Sequence, residues 1–324
     1  MKLSVVVPVY NEEESLPELY DRLNEVTSQL GWEYEYIFVD DGSTDRSIIV
    51  LRELRQKDPG HVNVISFRRN YGKSAALETA FRAVDGDVVI TMDADLQDDP
   101  REIPNLIARL DAGADLVSGW KRTRHDPITK TAPSKLFNAV TSLLSGIKLH
   151  DFNCGLKAYR REVVDTITIY GELHRFVPVL AGWEGFKVEE IEVQHARRKY
   201  GQSKYGARRF LNGFFDLVTV MFVTRRALNP LHFFGRIATV LFVVGLIPLL
   251  IFFIQWIGGA GLRVRPIMLM GFVFIIVSLQ IAAIGLLAEM ITSRNAREST
   301  YAFKEYSVRD LTSPPPAPRG RDMR

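Results

Sequence analysis

At 324 residues, 47% apolar and 24% charged, the chain is long enough for one large or two ordinary domains, and its composition excludes a disordered, collagen-like or disulfide-scaffold protein. Its 41 Lys and Arg against 38 Asp and Glu leave a net charge of +3, too balanced for a protein whose whole surface grips nucleic acid. The single cysteine, Cys154, cannot form an internal disulfide and points to a reducing compartment.

Met1 and Lys2 run straight into Leu3-Ser4-Val5-Val6-Val7-Pro8, which reads as a strand rather than a signal peptide. Strand-length apolar runs recur at 3–10, 34–41, 62–67, 87–93 and 114–119. Helix-length segments fall between them at 14–30, 45–57, 74–84 and 100–110. Ser43 or Thr44 is expected to cap the second helix; Asp98 or Asp99 is expected to cap the fourth, with Pro100 in its first turn. This alternation, with near-continuous Val/Ile strands, predicts an α/β domain with a mainly parallel sheet covered on both faces. Further along, 134–147 places Leu136, Phe137, Val140, Leu143 and Leu144 at helical spacing, and 210–223 does the same with Phe214, Leu217 and Met221. Both patterns fit interfacial amphipathic helices and core packing alike.

No charged residue occurs in 237–257 or in 267–288. Each run exceeds 20 residues, enough to cross about 30 Å of hydrocarbon at about 1.5 Å per residue. The short link between them predicts a two-helix transmembrane hairpin, with Pro248 expected to kink the first helix. Arg225, Arg226, Arg236, Arg294 and Arg297 flank the hairpin, against Arg263 and Arg265 in its turn; that excess predicts an integral membrane protein with its soluble part in the cytoplasm. The Pro-rich end after Ser293 reads as a disordered cytosolic tail.

Ligands of parallel sheets sit beyond the carboxyl ends of the strands, and the polar clusters lie there. Strand one runs into Asn11-Glu12-Glu13, strand two into Asp40-Asp41-Gly42-Ser43-Thr44-Asp45, and strand four into Asp93-Ala94-Asp95-Leu96-Gln97. Asp93 and Asp95, two apart, can place two hard oxygens on one Mg2+ or Mn2+ ion, which typically keeps substrate phosphates as its other ligands. Taken singly, each acid pair also suits a turn; together, so many acids at adjacent strand ends call for a bound cation. Gly72-Lys73-Ser74 resembles the end of a phosphate loop, but Phe67 stands where its first glycine is required. His174 and His195 read as structural or surface residues.

The series Val7-Pro8-Val9-Tyr10-Asn11-Glu12, Asp40-Asp41-Gly42-Ser43-Thr44-Asp45, Arg69-Asn70-Tyr71-Gly72-Lys73 and Asp93-Ala94-Asp95-Leu96-Gln97-Asp98 resembles the motifs of family 2 glycosyltransferases. With Asp151-Phe152-Asn153-Cys154-Gly155-Leu156-Lys157-Ala158-Tyr159-Arg160-Arg161 it is similar to the polyprenyl-phosphate branch, which includes dolichol-phosphate mannose synthase and undecaprenyl-phosphate glucosyltransferases. The resemblance implies a GT-A catalytic domain over 1–210, a juxtamembrane amphipathic helix over 211–230, the hairpin over 231–292 and the tail over 293–324. It implies that Pro8, Tyr10, Glu12 and Asp41 hold a UDP- or GDP-linked sugar donor, with Asp40 and Lys73 close by. Asp93 and Asp95 would frame the metal and diphosphate, and Gln97 would lie near the sugar. A homo-oligomer through the hairpin is compatible with this arrangement.

The segment 195–209 carries six Lys and Arg and no acid. It suits an anchor at anionic lipid, at about 1 kcal/mol per basic residue, and equally a pocket for the phosphate of a polyprenyl phosphate. Arg198, Ser203 and Lys204 are the candidates for that pocket, and Lys121 and Arg122 are candidates from the end of strand five. A phosphomonoester is mostly ionised at pH 7, its second pKa being about 6, so a strong general base is dispensable. Asp151 is the remaining candidate base. Related glucosyltransferases carry an acid nearer the position of Gly155, where this chain has none, and single displacement with inversion is expected.

Three alternatives compete. A processive polysaccharide synthase would carry a Gln-x-x-Arg-Trp signature and more membrane helices, both absent from this sequence. A non-enzymatic membrane scaffold would not need the intact acid set. A metal-dependent nucleotidyltransferase would not explain the basic juxtamembrane segment.

Overall fold

The structure, a computed structural model, describes residues 1–122, 137–143, 145–169, 171, 173–194, 196, 230–259 and 265–295. The sheet has seven strands among the described residues. In chain order the elements are β1 (Lys2–Val9), α1 (Leu16–Thr27), β2 (Glu33–Asp40), α2 (Ser47–Lys57), β3 (Val62–Ser66), α3 (Lys73–Ala83), β4 (Val88–Thr91), α4 (Ile103–Asp111) and β5 (Leu116–Trp120). After the segment outside the described residues come β6 (Lys157–Arg160), α5 (Arg161–Thr166), α6 (Val177–Trp183), β7 (Val188–Glu192), α7 (Pro230–Ile257) and α8 (Pro266–Asn295). The expected strands and helices of the first half are all present, within a few residues of their expected ends.

The strand order is β3-β2-β1-β4-β6-β5-β7. β1 pairs in parallel with β2 and β4, β2 with β3, and β5 with β7; β6 is antiparallel to both β4 and β5. The sheet is therefore mainly parallel, with one reversed strand wedged between β4 and β5. Four residues carry too little periodicity to announce that strand in the sequence. It brings Gly155 and Lys157 beside the end of β4.

Alternation along β1 explains the two cores. Leu3, Val5, Val7 and Val9 face α1, α2 and α4, joining Leu16, Leu19, Leu23, Leu51, Leu106 and Leu110. Val6 faces the other way with Ile37, Val39 and Val89, onto Ala76, Leu77, Ala80 and Phe81 of α3. Of the amphipathic stretch 134–147, Phe137 and Val140 pack against this second core, whereas Leu143 is 82% exposed. Leu136 and Leu144, and the whole of 210–223, lie outside the described residues.

Two capping expectations are corrected or refined. Neither Ser43 nor Thr44 caps α2: Ser43 Oγ accepts the Asn11 N–H at 3.0 Å, and the Thr44 N–H donates to Asn11 Oδ1 at 2.7 Å. Both residues tie the end of β2 to the end of β1, and Asp45 Oδ1 accepts the Ser47 N–H at 2.9 Å instead. Ahead of α4, Asp99 accepts the Arg101 N–H at 3.0 Å and caps a 3-10 turn over Pro100–Glu102, while Asp98 is fully buried elsewhere.

Leu231–Ile257 and Pro266–Met290 are 27 and 25 residues long, and each contains an 18-residue stretch, of mean hydropathy 3.0 and 2.6, of which only 11% is buried. They are long and apolar enough to cross a membrane, and so little buried that they are not core helices. Helix α7 runs through Pro248. The two pack at glycines: a Cβ on Gly245 would lie 2.7 Å from the Gly271 carbonyl oxygen, and one on Gly271 2.8 Å from that of Gly245. At the other end, Glu289 Oε2 accepts the Leu231 N–H at 3.2 Å, closing the pair where α7 begins.

Candidate active site at the strand ends

The ends of β1 and β2 are knitted together before any ligand is considered. Asn11 adopts a left-handed φ of 54°, turning the chain so that the Glu12 N–H donates to Ser47 Oγ at 2.8 Å and the Glu13 N–H to Asp45 Oδ2 at 3.3 Å. Asp40, 2% exposed, accepts the Ser43 N–H at 3.1 Å and the Ser66 hydroxyl at 2.9 Å. Asp41, 4% exposed, accepts the Tyr71 N–H at 2.7 Å on one oxygen and the Gly72 N–H at 2.9 Å on the other. Burial pushes the Asp41 carboxyl above its ordinary value, and the two N–H groups only partly offset this. Both aspartates thus support the site's loops with one lone pair per oxygen spent, leaving others for a ligand. Pro8 and Tyr10 are half-buried beside them.

Asp41 reaches Tyr71 and Gly72 because Gly42 lets the two loops touch. Gly42 has φ +67°, and a Cβ there would lie 2.3 Å from the Arg69 carbonyl carbon. The Gly of the D-D-G-S series is a requirement of backbone approach.

The second loop delivers Lys73, the first residue of α3, whose ammonium pairs with Asp93 Oδ1. Burial alone would raise the Asp93 carboxyl; Lys73, then Lys121 and Lys157, overcome this and hold it at about 2. Asp93 also rests on Gly155, where a Cβ would lie 2.6 Å from the carboxyl carbon. Gly155 is itself anchored, its carbonyl accepting the Thr91 hydroxyl at 2.9 Å. We expect Gly155→Ala to push the Asp93 carboxylate aside and lower kcat about a hundredfold, with melting temperature little changed, because a 1 Å misplacement costs on that order. Steady-state kinetics beside a thermal melt checks this.

Asp95, 8% exposed, accepts the Gln97 N–H at 3.2 Å across Leu96, which sits in the left-handed region at φ 60°. A buried leucine in that conformation stores ~1–3 kcal/mol. Its side chain, 2% exposed, is locked in the core, which keeps the Asp95 and Gln97 turn in place. Nothing in the sequence pattern signalled this strain. The Gln97 carbonyl accepts the Ala196 N–H at 3.0 Å, so the chain enters the basic segment directly against the Asp95–Gln97 turn. Arg198, Ser203 and Lys204, like His195, lie outside the described residues.

The remaining candidates are more enclosed. Lys121 lies 2.6 Å from Asp98, with 12% and 0% of their side chains exposed. Burial works against the Lys121 ammonium, and Asp98 more than offsets it, raising its pKa. Arg122, 65% exposed, reaches Glu192 at 3.2 Å and lies over the Trp120 ring. Both cations already carry a carboxylate partner. Asp151 is 1% exposed and accepts the Asn153 N–H at 3.0 Å. Two groups to which the sequence reading gave no place in the site lie close by. Lys157, 4% exposed, donates to the Cys154 carbonyl, and burial pushes its pKa below the ordinary lysine value. The Cys154 thiol is pushed up to about 12 by burial and is inert as a nucleophile. His174 is half-buried with its ring on Ser74 Oγ at 2.9 Å, a contact that binds its 3-10 turn to α3.

Among the described residues no group of three or more His, Cys, Asp or Glu could hold a metal ion. Asp93 and Asp95 supply two carboxylates on one loop, which fits a hard divalent cation that brings most of its ligands with it and does not fit a resident all-protein metal cage.

The arrangement has relatives. Residues 4–168 match the family described as Glycosyl transferase family 2. The chain is 40% identical over 292 residues to an undecaprenyl-phosphate 4-deoxy-4-formamido-L-arabinose transferase of Proteus mirabilis (strain HI4320), covering 90% of this chain and 88% of that one. It is 34% identical over 316 residues to a dodecaprenyl-phosphate galacturonate synthase of Rhizobium johnstonii, covering 96% and 93%. Among solved structures, glucosyl-3-phosphoglycerate synthase from Mycobacterium tuberculosis superimposes with a TM-score of 0.52 at 21% identity, over 69% of this chain and 80% of that one. The same enzyme in complex with Mn2+ and UDP-glucose gives a TM-score of 0.51 at 20% identity, over 69% and 78%. These likenesses show the GT-A fold. With the motif series, the mixed sheet and a family match over half its length, the chain belongs to glycosyl transferase family 2.

Proposed function

We propose that the protein moves a single sugar from a UDP- or GDP-linked donor to a polyprenyl phosphate at the cytosolic membrane face, with inversion. The observation that carries the acceptor half is the hydrogen bond from the Ala196 N–H to the Gln97 carbonyl at 3.0 Å. It joins the turn bearing Asp95 to Ala196, and the sequence that follows Ala196 is rich in Lys and Arg, the residue types a phosphate acceptor calls for. Two apolar helices follow that segment, and the relatives named for undecaprenyl and dodecaprenyl phosphate align across 90% and 96% of the chain.

In this reading Pro8, Tyr10, Glu12 and Asp41 hold the nucleotide, and Asp40 stiffens the turn beneath it. Asp93 and Asp95 would hold Mg2+ or Mn2+, which would supply positive charge for the departing diphosphate; the mycobacterial neighbour of the same fold has been solved with Mn2+ and UDP-glucose. Gln97 contacts the sugar. Arg198, Ser203 and Lys204 grip the acceptor phosphate, with Lys121 and Arg122 after β5 contributing positive field. Asp151, closed in at 1% exposure, is poorly placed as a base, and an acceptor already ionised needs none. Positioning and electrostatics supply the rate.

The test separates the two substrates. Arg198→Ala and Lys204→Ala are each expected to raise KM for undecaprenyl phosphate about tenfold, the loss of one charge-assisted contact, and to leave KM for the donor unchanged. A rise in donor KM alone would remove these residues from the acceptor site.

A further inference from the structure

Lys73 and Asp93 come from different elements, and their side chains meet while 26% and 32% of each stays exposed. Almost everything around the pair is pinned. Asp41 holds the backbone N–H groups of Tyr71 and Gly72, immediately before Lys73. The next residue, Ser74, is 1% exposed and is bound to both the ring and the N–H of His174. Asp93 lies against Gly155. The Lys73 side chain is an unbranched stem ending in three rotatable donors, the chemistry suited to exchanging one partner for another.

Its neighbours are not built that way. Lys121 is buried on Asp98, and Lys157 is buried on the Cys154 carbonyl. Of these three lysines around Asp93, Lys73 is the most exposed, with 26% of its side chain open against 12% for Lys121, and Lys157 at 4%. An ammonium on the carboxylate meant for a divalent cation opposes that cation, unless it has somewhere better to go. A donor diphosphate offers it a stronger, doubly charged partner.

We propose that Lys73 is an exchangeable counter-ion: it neutralises Asp93 while the donor site is empty, and passes to the donor's diphosphate when Asp93 turns to the cation that arrives with it. This rests on the reading of Asp93 and Asp95 as cation ligands. The exchange makes cation and nucleotide bind as a couple, because each removes an obstacle to the other, and coupling is reciprocal. It also keeps Asp93 from holding a divalent ion when no donor is present.

The test is a Mn2+ titration of the full-length protein in detergent, read as free Mn2+ by electron paramagnetic resonance, with and without UDP or GDP. In the wild type, nucleotide is expected to tighten Mn2+ binding about tenfold, within the usual range for coupled sites. Lys73→Met is expected to bind Mn2+ alone about tenfold more tightly than the wild type and to lose most of the nucleotide effect; Lys73→Arg is expected to restore both. Lys73→Met binding Mn2+ alone no more tightly than wild type overturns the exchange. Asp93→Asn separates the two levels of the argument: it should lose Mn2+ binding with and without nucleotide. If it binds like wild type, or if neither nucleotide affects the protein, the donor-site reading fails and the exchange falls with it.

Discussion

Asp95→Ala is expected to lower sugar transfer by about a thousandfold or more while the protein folds and melts as the wild type does. The size follows from what the residue does in the proposed site: it shares with Asp93 the cation that neutralises the leaving diphosphate, and removing one preorganised group aimed at developing charge costs about 10²–10³ in kcat. Loss of the cation itself adds to that. The melt is expected to stay near that of the wild type because the turn has a second hold besides this carboxylate. Its carboxylate accepts the Gln97 N–H at 3.2 Å within a turn, and the turn is held by the buried Leu96 next to it. Circular dichroism and a thermal melt alongside the rate separate the two effects. A variant that transfers sugar within tenfold of the wild type would mean that the Asp95 carboxylate is scaffolding.

Gly42→Ala is expected to act the other way, through the fold first and the activity second. The new Cβ would lie 2.3 Å from the Arg69 carbonyl carbon and 2.6 Å from the Asn70 nitrogen, both backbone atoms that no rotamer change can move aside. The residue would also have to keep a φ of +67°, where alanine is strained. Relief requires the loop around Arg69 and Asn70 to retreat, which breaks the bonds from Tyr71 and Gly72 to Asp41 and leaves that buried carboxylate short of partners. A loss of about 2–4 kcal/mol is expected, read as a melting temperature lower by on the order of 5–10 °C, together with a weaker hold on the nucleotide. An unchanged melt with unchanged nucleotide binding would show that the two loops tolerate separation, and that their contact does not shape the donor site.

The alternating half of the fold was legible because most of its strands are buried on both faces and its helices lie between them, bounded by turn residues. β1 to β5 and α1 to α4 therefore appear where the apolar runs place them. β6 was not legible: Lys157–Arg160 is too short for a periodic signal, and its antiparallel insertion between β4 and β5 is a fact of long-range pairing. The acids at the strand ends announced a site, but not how much of their capacity goes into holding it together. Asp40 and Asp41 looked like ligand-binding groups, and the structure shows each also binding two donors of the protein itself. Lys121 looked available for phosphate, and its ion pair with Asp98 at 2.6 Å depends on residues 23 positions apart meeting just past the end of β5, which spacing does not reveal. Gly155 looked like a missing acid; in space it is the gap in which Asp93 sits.

The most direct test of the whole account is transfer of label from a panel of nucleotide sugars to undecaprenyl phosphate by the full-length protein, with and without Mg2+ or Mn2+. One donor is expected to yield a labelled, acid-labile lipid, and the product is expected to disappear when the metal is withheld and in Asp95→Ala. Label appearing in an added oligosaccharide or protein, with none in the lipid, would contradict the acceptor assignment and return the basic segment after Ala196 to the role of a membrane anchor.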